Sequence, residues 1–198
     1  MAKQRSERMK QKRVLVLEGS PRKGNTALVT DWVLEGLGKK GIEVNRIQVS
    51  KLNIAGCQEC FHCTNYKNRA GCQQDDDMLE IFDLLVDSDL TIWTSPIFCW
   101  GVTSQLKTAV DRCFALLTGE NLLRGAKWAV VITAGGDHYD GADLAVAMFR
   151  RLAEFGKVKY LGHYVVANCP EPKILKKQER IAEEAKRFGR ELRRQLFD

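Results

Sequence analysis

No stretch of this 198-residue chain stays apolar over the roughly 20 residues needed to cross a bilayer. Its start, Met1-Ala2-Lys3-Gln4-Arg5, also lacks the apolar segment of a secretory signal. These absences predict a cytoplasmic protein that does not insert into a membrane. Because the cytoplasm is reducing, the seven cysteines are expected to be free thiols for metal ligation or redox chemistry, not a disulfide framework.

Nucleic-acid binding is not expected, although the net charge is +6. Residues 1–13 carry six basic groups and one acidic group, and residues 173–198 carry nine basic and five acidic groups, so the rest of the chain has a net charge of −3. Residues 1–13 also lack aromatic side chains that would stack on bases. We interpret residues 1–12 as a basic N-terminal tail and the C-terminal charges as a solvated helix face.

Short apolar runs alternate with segments of helical periodicity along the chain. Such alternation requires right-handed crossovers between parallel strands, with helices on both faces of the sheet. The predicted fold class is therefore a three-layer, doubly wound α/β domain with a parallel five-stranded sheet, and residues 1–198 are expected to form a single domain. The predicted strands are 14–17, 44–49, 90–94, 128–133 and 160–166, and the predicted helices are 26–39, 76–87, 104–117, 141–155 and 173–197.

The loop after the first predicted strand reads "GSPRKGNT" and has the composition of an anion site. It enters a helix with glycines that allow close backbone approach, and its position at a carboxyl strand end is where such sheets bind ligands. Its candidate donors are Ser20, Arg22, Asn25 and Thr26. The glycine spacing matches a nucleotide triphosphate loop, but Asn25 stands where that loop has lysine, so a monophosphate is favoured over ATP. A glycine-rich helix entry without a ligand is the alternative.

Two more loops at the same edge suit a flat ring. "SPIFCWG" follows the third strand with large apolar groups, and "TAGGDHYDG" follows the fourth with glycines that admit close approach of a ligand. Together with the phosphate loop they suggest a phosphorylated ring cofactor. Phe98, Trp100 and Tyr139 can alternatively be interface or core residues.

The motifs "GSPRKGNT", "SPIFCWGVTSQLKTAVDR" and "TAGGD" together resemble those of the flavodoxin-like NAD(P)H-dependent FMN reductase superfamily. The resemblance implies the strand order 2-1-3-4-5, FMN as cofactor, and a homodimer or homotetramer. It also implies an FMN phosphate held by Ser20, Arg22, Asn25 and Thr26, and an isoalloxazine ring against Pro96, Ile97, Phe98, Cys99, Trp100, Gly101, Gly135, Gly136 and Asp137.

Four cysteines, Cys57, Cys60, Cys63 and Cys72, lie in the predicted cysteine-rich loop 51–75 with the spacing C-x₂-C-x₂-C-x₈-C. The spacing resembles the compact cysteine motif of iron-sulfur flavoproteins, although the last gap is longer than is usual there, and the resemblance implies a [4Fe-4S] cluster. Thiolates spaced C-x₂-C-x₂-C wrap three corners of a cubane, and a fourth closes it. Metal-free redox thiols are one alternative, and zinc, which usually binds two separated cysteine pairs, is another.

The cysteine loop leaves the carboxyl end of the second strand, so its cysteines are expected at the same edge as the flavin loops. The other cysteines have simpler interpretations: Cys113 and Cys169 as packed side chains, and Cys99 as a residue of the flavin loop. The three histidines, His62, His138 and His163, show no metal-ligand spacing.

We interpret the chain as an FMN-dependent oxidoreductase that passes electrons from NAD(P)H, or from a reduced ferredoxin-like carrier, to a small acceptor such as a quinone or a flavin. Because the flavin carries the chemistry, no catalytic side chain is predicted. One alternative is a flavin and iron-sulfur electron carrier without a nicotinamide site, and another is a nucleotide triphosphate switch. A homo-oligomer is expected because Phe98, Trp100 and Tyr139 would form an exposed apolar patch in a monomer.

Overall fold

The computed structural model describes residues 11–67, 69–172 and 174–198. Its strands are β1 (Lys12–Glu18), β2 (Ile42–Gln48), β3 (Leu90–Pro96), β4 (Lys127–Thr133) and β5 (Lys159–Val166). Its helices are α1 (Asn25–Leu37), α2 (Met78–Asp87), α3 (Ser104–Arg112), α4 (Phe114–Leu117), α5 (Ala142–Phe155) and α6 (Glu179–Phe197). All strand pairs are parallel and the order is β2-β1-β3-β4-β5, which confirms the predicted fold class and topology.

The sheet separates two apolar cores because successive side chains of a strand point to opposite faces. Leu15 and Leu17 of β1 pack with α2, α3 and α5, whereas Val14 and Val16 pack with α1 and α6. Trp93 of β3, fully buried, makes an edge-to-face contact with Trp128 of β4 at 5.2 Å between ring centres. The two helical layers therefore have separate cores, as a doubly wound domain requires.

Helices α1 and α6 approach each other closely at two glycines. A Cβ on Gly36 would stand 2.0 Å from the Lys186 carbonyl oxygen, and one on Gly189 would stand 2.0 Å from the Val33 carbonyl oxygen. Neither contact tolerates a side chain, so the glycines set the distance between the helices. Although α6 has 19 residues, no helix within the described ranges is both long enough and apolar enough to cross a bilayer.

Several predicted boundaries differ from those of the structure. The helix predicted over 104–117 is interrupted at Cys113, whose amide donates to the carbonyls of both Ala109 and Val110, and α4 turns so that Phe114 meets Phe61 of the cysteine loop. The helix predicted from Lys173 begins at Glu179 after a short 3-10 helix (Ile174–Lys177), and Lys173 itself lies outside the described residues. Most of the predicted basic tail, residues 1–10, also lies outside them, but Lys12 is already part of β1, where it pairs with Ile42.

Candidate functional site

Hydrogen bonds join the loops at the carboxyl edge of the sheet into one surface. The amide of Gly19 donates to the Thr94 carbonyl at 2.7 Å, and the Thr103 hydroxyl donates to the Gly19 carbonyl at 2.8 Å. Farther along the edge, the amide of Asn168 donates to the Gly136 carbonyl at 2.7 Å. The phosphate loop (residues 19–26) is thus fixed to the start of α3, and the glycine loop (residues 133–141) is fixed to the segment that follows β5.

The phosphate loop presents an open helix N-terminus. The Ser20 hydroxyl donates to the Arg22 carbonyl at 2.7 Å, and the Gly24 amide donates to the same carbonyl at 3.1 Å, which curls the loop before α1. Within the described part of the chain no side chain caps α1 at Gly24, so its first-turn amides keep their donors for another partner. The Arg22 Nε lies 3.7 Å from where a Cβ of Gly24 would stand, so a cation lies beside these amides. This arrangement suits an anion.

A cleft of about 540 Å³ opens beside this loop. Its wall includes Arg46, which forms ion pairs with Glu18 and Asp31. Burial acts to lower the pKa of Arg46, but its hydrogen bonds with both carboxylates outweigh this and hold the pKa above its usual value. Because Arg46 is neutralised locally, the exposed Arg22, Lys23 and Lys176 are the cations in the cleft lining that remain to meet a ligand.

Two of the predicted phosphate ligands have partners inside the protein. The Asn25 Nδ2 donates to the carbonyls of Cys169 and Glu171 at 3.1 and 2.8 Å, and the Thr26 hydroxyl shares a 2.7 Å hydrogen bond with the Thr133 hydroxyl. Both side chains are buried and lock the start of α1 against the neighbouring loops. The donors left for a ligand in the cleft therefore include the backbone amides of the loop and the side chains of Arg22, Lys23 and Lys176. The ligand roles of Ser20, Asn25 and Thr26 stay predictions.

The predicted ring loop forms a tight hairpin turn. The amide of Phe98 donates to the Gly101 carbonyl at 2.8 Å, and the Gly101 amide donates back at 3.1 Å. Between them Cys99 and Trp100 adopt left-handed backbone conformations, with φ of 47° and 62°. This is the geometry of a turn that usually contains asparagine and glycine, so side chains here cost roughly 1–2 kcal/mol per residue. Strain of this kind is concentrated at functional sites.

The glycine loop packs directly against this hairpin. A Cβ on Gly141 would stand 2.4 Å from the Trp100 Cα, and one on Gly136 would stand 2.0 Å from the Asp140 carboxylate. The Asp137 carboxylate accepts from the Tyr139 amide at 2.6 Å. The carboxylates of this loop are therefore turned to their own backbone, and the large exposed groups on the edge are apolar: Phe98 (49% exposed), Trp100 (64%) and Tyr139 (78%).

The cysteine loop does not stay at this edge, contrary to the expectation from the sequence. Leu52 and Ile54 pack on the core, which draws the chain along α3 until the Ala55 carbonyl accepts from the Arg112 guanidinium at 2.8 Å. Since a helix rises about 1.5 Å per residue, Arg112 lies about 12 Å along the axis from Ser104 at the carboxyl edge. The four cysteines lie beside the end of α3, and the loops predicted to bind FMN lie at its beginning.

All four cysteines of the loop line one cavity of about 530 Å³, together with Arg112 and Phe114. Glu59 and Phe61, on either side of Cys60, have left-handed backbone conformations that bend the chain around the cavity, with φ of 51° and 53°. Among the described residues, no three His, Cys, Asp or Glu side chains form a group able to hold a single metal ion. The four cysteine ligands of a [4Fe-4S] cluster each bind a different iron atom, so they surround the cluster and do not converge on one point. Cysteines that line one cavity are therefore the arrangement such a cluster needs.

A buried ion pair closes one wall of this cavity. The Arg112 Nη1 and Nη2 donate to the two carboxylate oxygens of Asp76 at 2.7 and 3.0 Å, and the side chains are 1% and 8% exposed. The Asp76 carboxylate also accepts from the amides of Ala55 and Met78 at 3.0 and 3.1 Å. Burial alone would raise the pKa of Asp76, but the hydrogen bonds from Arg112 and these amides lower it, so the carboxylate stays ionised.

Electrostatics link Arg112 to the thiols. Burial acts to lower the pKa of Arg112, but the hydrogen bond with Asp76 and attraction to Cys72 raise it overall. Sequence reasoning missed this pair, because aspartates at residues 75–77 have an ordinary function at a helix start and Arg112 ends an amphipathic helix. The sequence signal that could have indicated the pair was the basic residue Arg112 at the end of α3, the helix that follows the 98–101 hairpin.

The cysteines interpreted as packed side chains are buried. Cys113 has no exposed surface, and burial raises the pKa of its thiol to about 12. Cys169 is 6% exposed, and its thiol donates to the Ala134 carbonyl at 3.2 Å. Cys99 is exposed at the tip of the hairpin turn. The described cysteines are all free thiols.

A parallel sheet of order 2-1-3-4-5, with a glycine-containing loop between its first strand and α1, defines a flavodoxin-like protein. The chain belongs to the NADPH-dependent FMN reductase family, whose pattern matches residues 12–170, and within it to the branch of the iron-sulfur flavoproteins. This membership supports an FMN-dependent oxidoreductase.

Two relatives and two solved structures show how similar the chain is to known proteins. An iron-sulfur flavoprotein of Methanocaldococcus jannaschii is 36% identical over 68% of this chain and 67% of its own length, and one of Archaeoglobus fulgidus is 32% identical over 67% of each chain. A flavone reductase structure has a TM-score of 0.72 and 21% identity; the match covers 94% of this chain but only 63% of the reductase. An NAD(P)H:quinone oxidoreductase from Methanothermobacter marburgensis has a TM-score of 0.67 and 19% identity over 92% of this chain and 97% of its own. These structures support the fold.

Changing Arg22 to Ala is expected to weaken FMN binding about tenfold or more, because a hydrogen bond to a charged group contributes about 1.5–3 kcal/mol. Riboflavin, which has no phosphate, should bind the wild type and Arg22→Ala equally. Flavin fluorescence titration of the apoprotein measures both affinities. Lys39→Ala, which removes an exposed cation beyond the C-terminal end of α1, is the matched control. An unchanged FMN affinity in Arg22→Ala would place the phosphate elsewhere.

Proposed function

We propose that the protein is an NAD(P)H-dependent FMN oxidoreductase that reduces a small acceptor such as a quinone or a flavin. The observation that carries this proposal is the carboxyl edge itself. There, an uncapped helix N-terminus with Arg22 beside it adjoins a strained apolar hairpin and a glycine loop. These residues suit the phosphate and the ring of FMN at once.

The chain's own residues have binding and orienting roles at this edge. The first-turn amides of α1 and Arg22 would hold the phosphate, and Phe98 and Trp100 of the hairpin would contact the ring. When bound, FMN supplies the redox chemistry by accepting an electron pair from a nicotinamide and releasing electrons singly or as a pair. The carboxylates of Asp137 and Asp140 accept from backbone amides of their own loop, so this loop offers backbone to the ring.

Reduction by a nicotinamide separates the proposed enzyme from an electron carrier of the same fold. Anaerobic mixing of the FMN-loaded protein with NADPH or NADH should bleach the flavin absorbance near its visible maximum within the time of a stopped-flow experiment. A carrier that depends on a ferredoxin-like partner would keep its oxidised spectrum with both nicotinamides, and that result would overturn the reductase proposal. The ratio of the two bleaching rates identifies the preferred donor.

We further propose that the cysteine loop holds a [4Fe-4S] cluster, through Cys57, Cys60, Cys63 and Cys72. Three features of the residues fit such a group. Their thiols line one cavity, left-handed residues bend the chain around Cys60, and Arg112, with a buried unpaired Nε, lies in the cavity wall. The names of the iron-sulfur flavoprotein relatives also favour a cluster over zinc.

Iron content tests the cluster directly. After anaerobic reconstitution, the wild type should contain about four iron atoms and four sulfides per chain, as a cubane requires. Cys60→Ala should lose most of this iron, because one thiolate ligand of the cage is missing, while its FMN content stays unchanged. Cys99→Ala removes an exposed thiol outside the cavity and should keep its iron. Iron-free wild type with full FMN would refute the cluster and leave the reductase intact.

A homodimer or homotetramer in the cytoplasm completes the proposal. The exposed Phe98, Trp100 and Tyr139 form an apolar group at the flavin edge, and a second copy of the chain that covered them would also shield the flavin from water. Free thiols are stable in a reducing compartment, which favours the cytoplasm. A solution mass equal to the 22.4 kDa of one chain would contradict the oligomer.

A further inference from the structure

Arg112 is an unusual residue to find at the wall of a thiol cavity, because it is a cation that is almost completely buried. The residue is 2% exposed. Burying a charge costs several kcal/mol unless it is paired and hydrogen-bonded. Asp76 supplies the opposite charge on one edge of the guanidinium, and the Ala55 carbonyl accepts a third hydrogen bond.

The other edge of the guanidinium has donors left over. A guanidinium has five N–H groups, of which Nη1 uses both of its own and Nη2 uses one in the contacts with Asp76 and Ala55. The Nε is buried and finds no hydrogen-bond partner anywhere in the described ranges. A buried donor without a partner costs about 1–3 kcal/mol, so this edge is suited to an acceptor that the protein chain alone does not supply.

The position of the cavity indicates where such an acceptor would lie. Arg112 lines it together with all four cysteines of the loop, Cys72 among them. Asp76 in turn fixes the guanidinium, since its carboxylate is held by the amides of Ala55 and Met78 as well as by Arg112. Arg112 is thus a fixed cation with two unused N–H groups, and it lines the same cavity as the four cysteines.

We infer that Arg112 is a positioning residue for the cluster, which donates N–H···S hydrogen bonds to Cys72 or to a cluster sulfide and thereby raises the cluster's reduction potential. This inference rests on the proposed cluster. Reduction adds one negative charge to an already anionic cage of four thiolates, so a nearby cation with hydrogen bonds stabilises the reduced state more than the oxidised state. Asp76 orients the donor and, as a carboxylate, partly offsets its charge.

The test compares two variants with the wild type after anaerobic reconstitution. Arg112→Met is combined with Asp76→Asn so that no carboxylate is left buried without its partner. In this double variant we expect the preference for the reduced cluster to fall about tenfold or more, which corresponds to a potential lower by about 59 mV for one electron. Asp76→Asn alone keeps the donor and removes the opposing charge, so its potential should stay equal or rise.

Redox titration followed by electron paramagnetic resonance gives the midpoint potentials, and iron and FMN analyses of the same samples give the loading. If the ion pair has only a structural role, its loss will lower the thermal stability of both variants and leave the reduction potential of the cluster unchanged. If the Arg112→Met double variant does not retain iron, Arg112→Gln with Asp76→Asn replaces it. We expect the same direction with a smaller shift, because glutamine keeps one amide donor group.

The outcomes separate this inference from the proposal beneath it. Loaded clusters with equal potentials in the wild type and in the Arg112 variants overturn the inference and leave the cluster in place. A wild type that takes up no iron overturns both, while its flavin reduction by nicotinamides still tests the reductase. A potential that is lower in the double variant but equal or higher in Asp76→Asn supports Arg112 as the donor.

Discussion

The site depends on the fact that all five strands run in the same direction. Parallel strands cannot be joined by tight turns, so each connection passes through a helical layer and every strand ends at the same edge. Backbone amides and helix N-termini therefore converge where the chain is not covered by helices. The first-turn amides of α1, the 98–101 hairpin and the glycine loop are close together for this reason, although they are far apart in sequence. The topology brings these loops to one edge, and the residues within each loop determine what that edge can bind.

A second constraint acts away from this edge, through the buried pair of Asp76 and Arg112. Two charges moved out of water are a poor source of stability, and a well-packed apolar pair often does as well or better. What the pair does provide is a fixed position for the segments that it joins. Its bonds connect the start of α2, the end of α3 and the backbone at Ala55, which are the three places that border the cysteine cavity. Specific placement of the loop, more than stability, is what this ion pair provides.

Sequence reasoning recovers the parts of the molecule that depend on local pattern. The strands are apolar runs and the helices have apolar periodicity, so the fold class could be predicted, and the resemblance carried by motifs such as "GSPRKGNT" added the strand order. The binding roles assigned to residues at the carboxyl edge stay predictions. The path of the cysteine loop could not, because it is decided by Leu52 and Ile54 packing on the core and by a pair 36 residues apart. The break at Cys113 also escaped, since residues 104–117 remain helical in pattern on both sides of it. The partners of Asn25 lie more than 140 residues away, so its locking role has no local signature.

The close contact of α1 with α6 has a consequence for the order in which the phosphate loop becomes fixed during synthesis. Gly36 and Gly189 bring together a helix made early and a helix made late, and the Asn25 amide group donates to carbonyls that follow β5. A nascent chain that has emerged from the ribosome only as far as β4 therefore contains the phosphate loop together with Thr103 and Thr133, but it lacks the Cys169 and Glu171 carbonyls that hold Asn25. Since domains fold as units, the loop gains its last hydrogen bonds only after the segment that follows β5 has been made, although the loop itself is among the first parts of the edge to be synthesised.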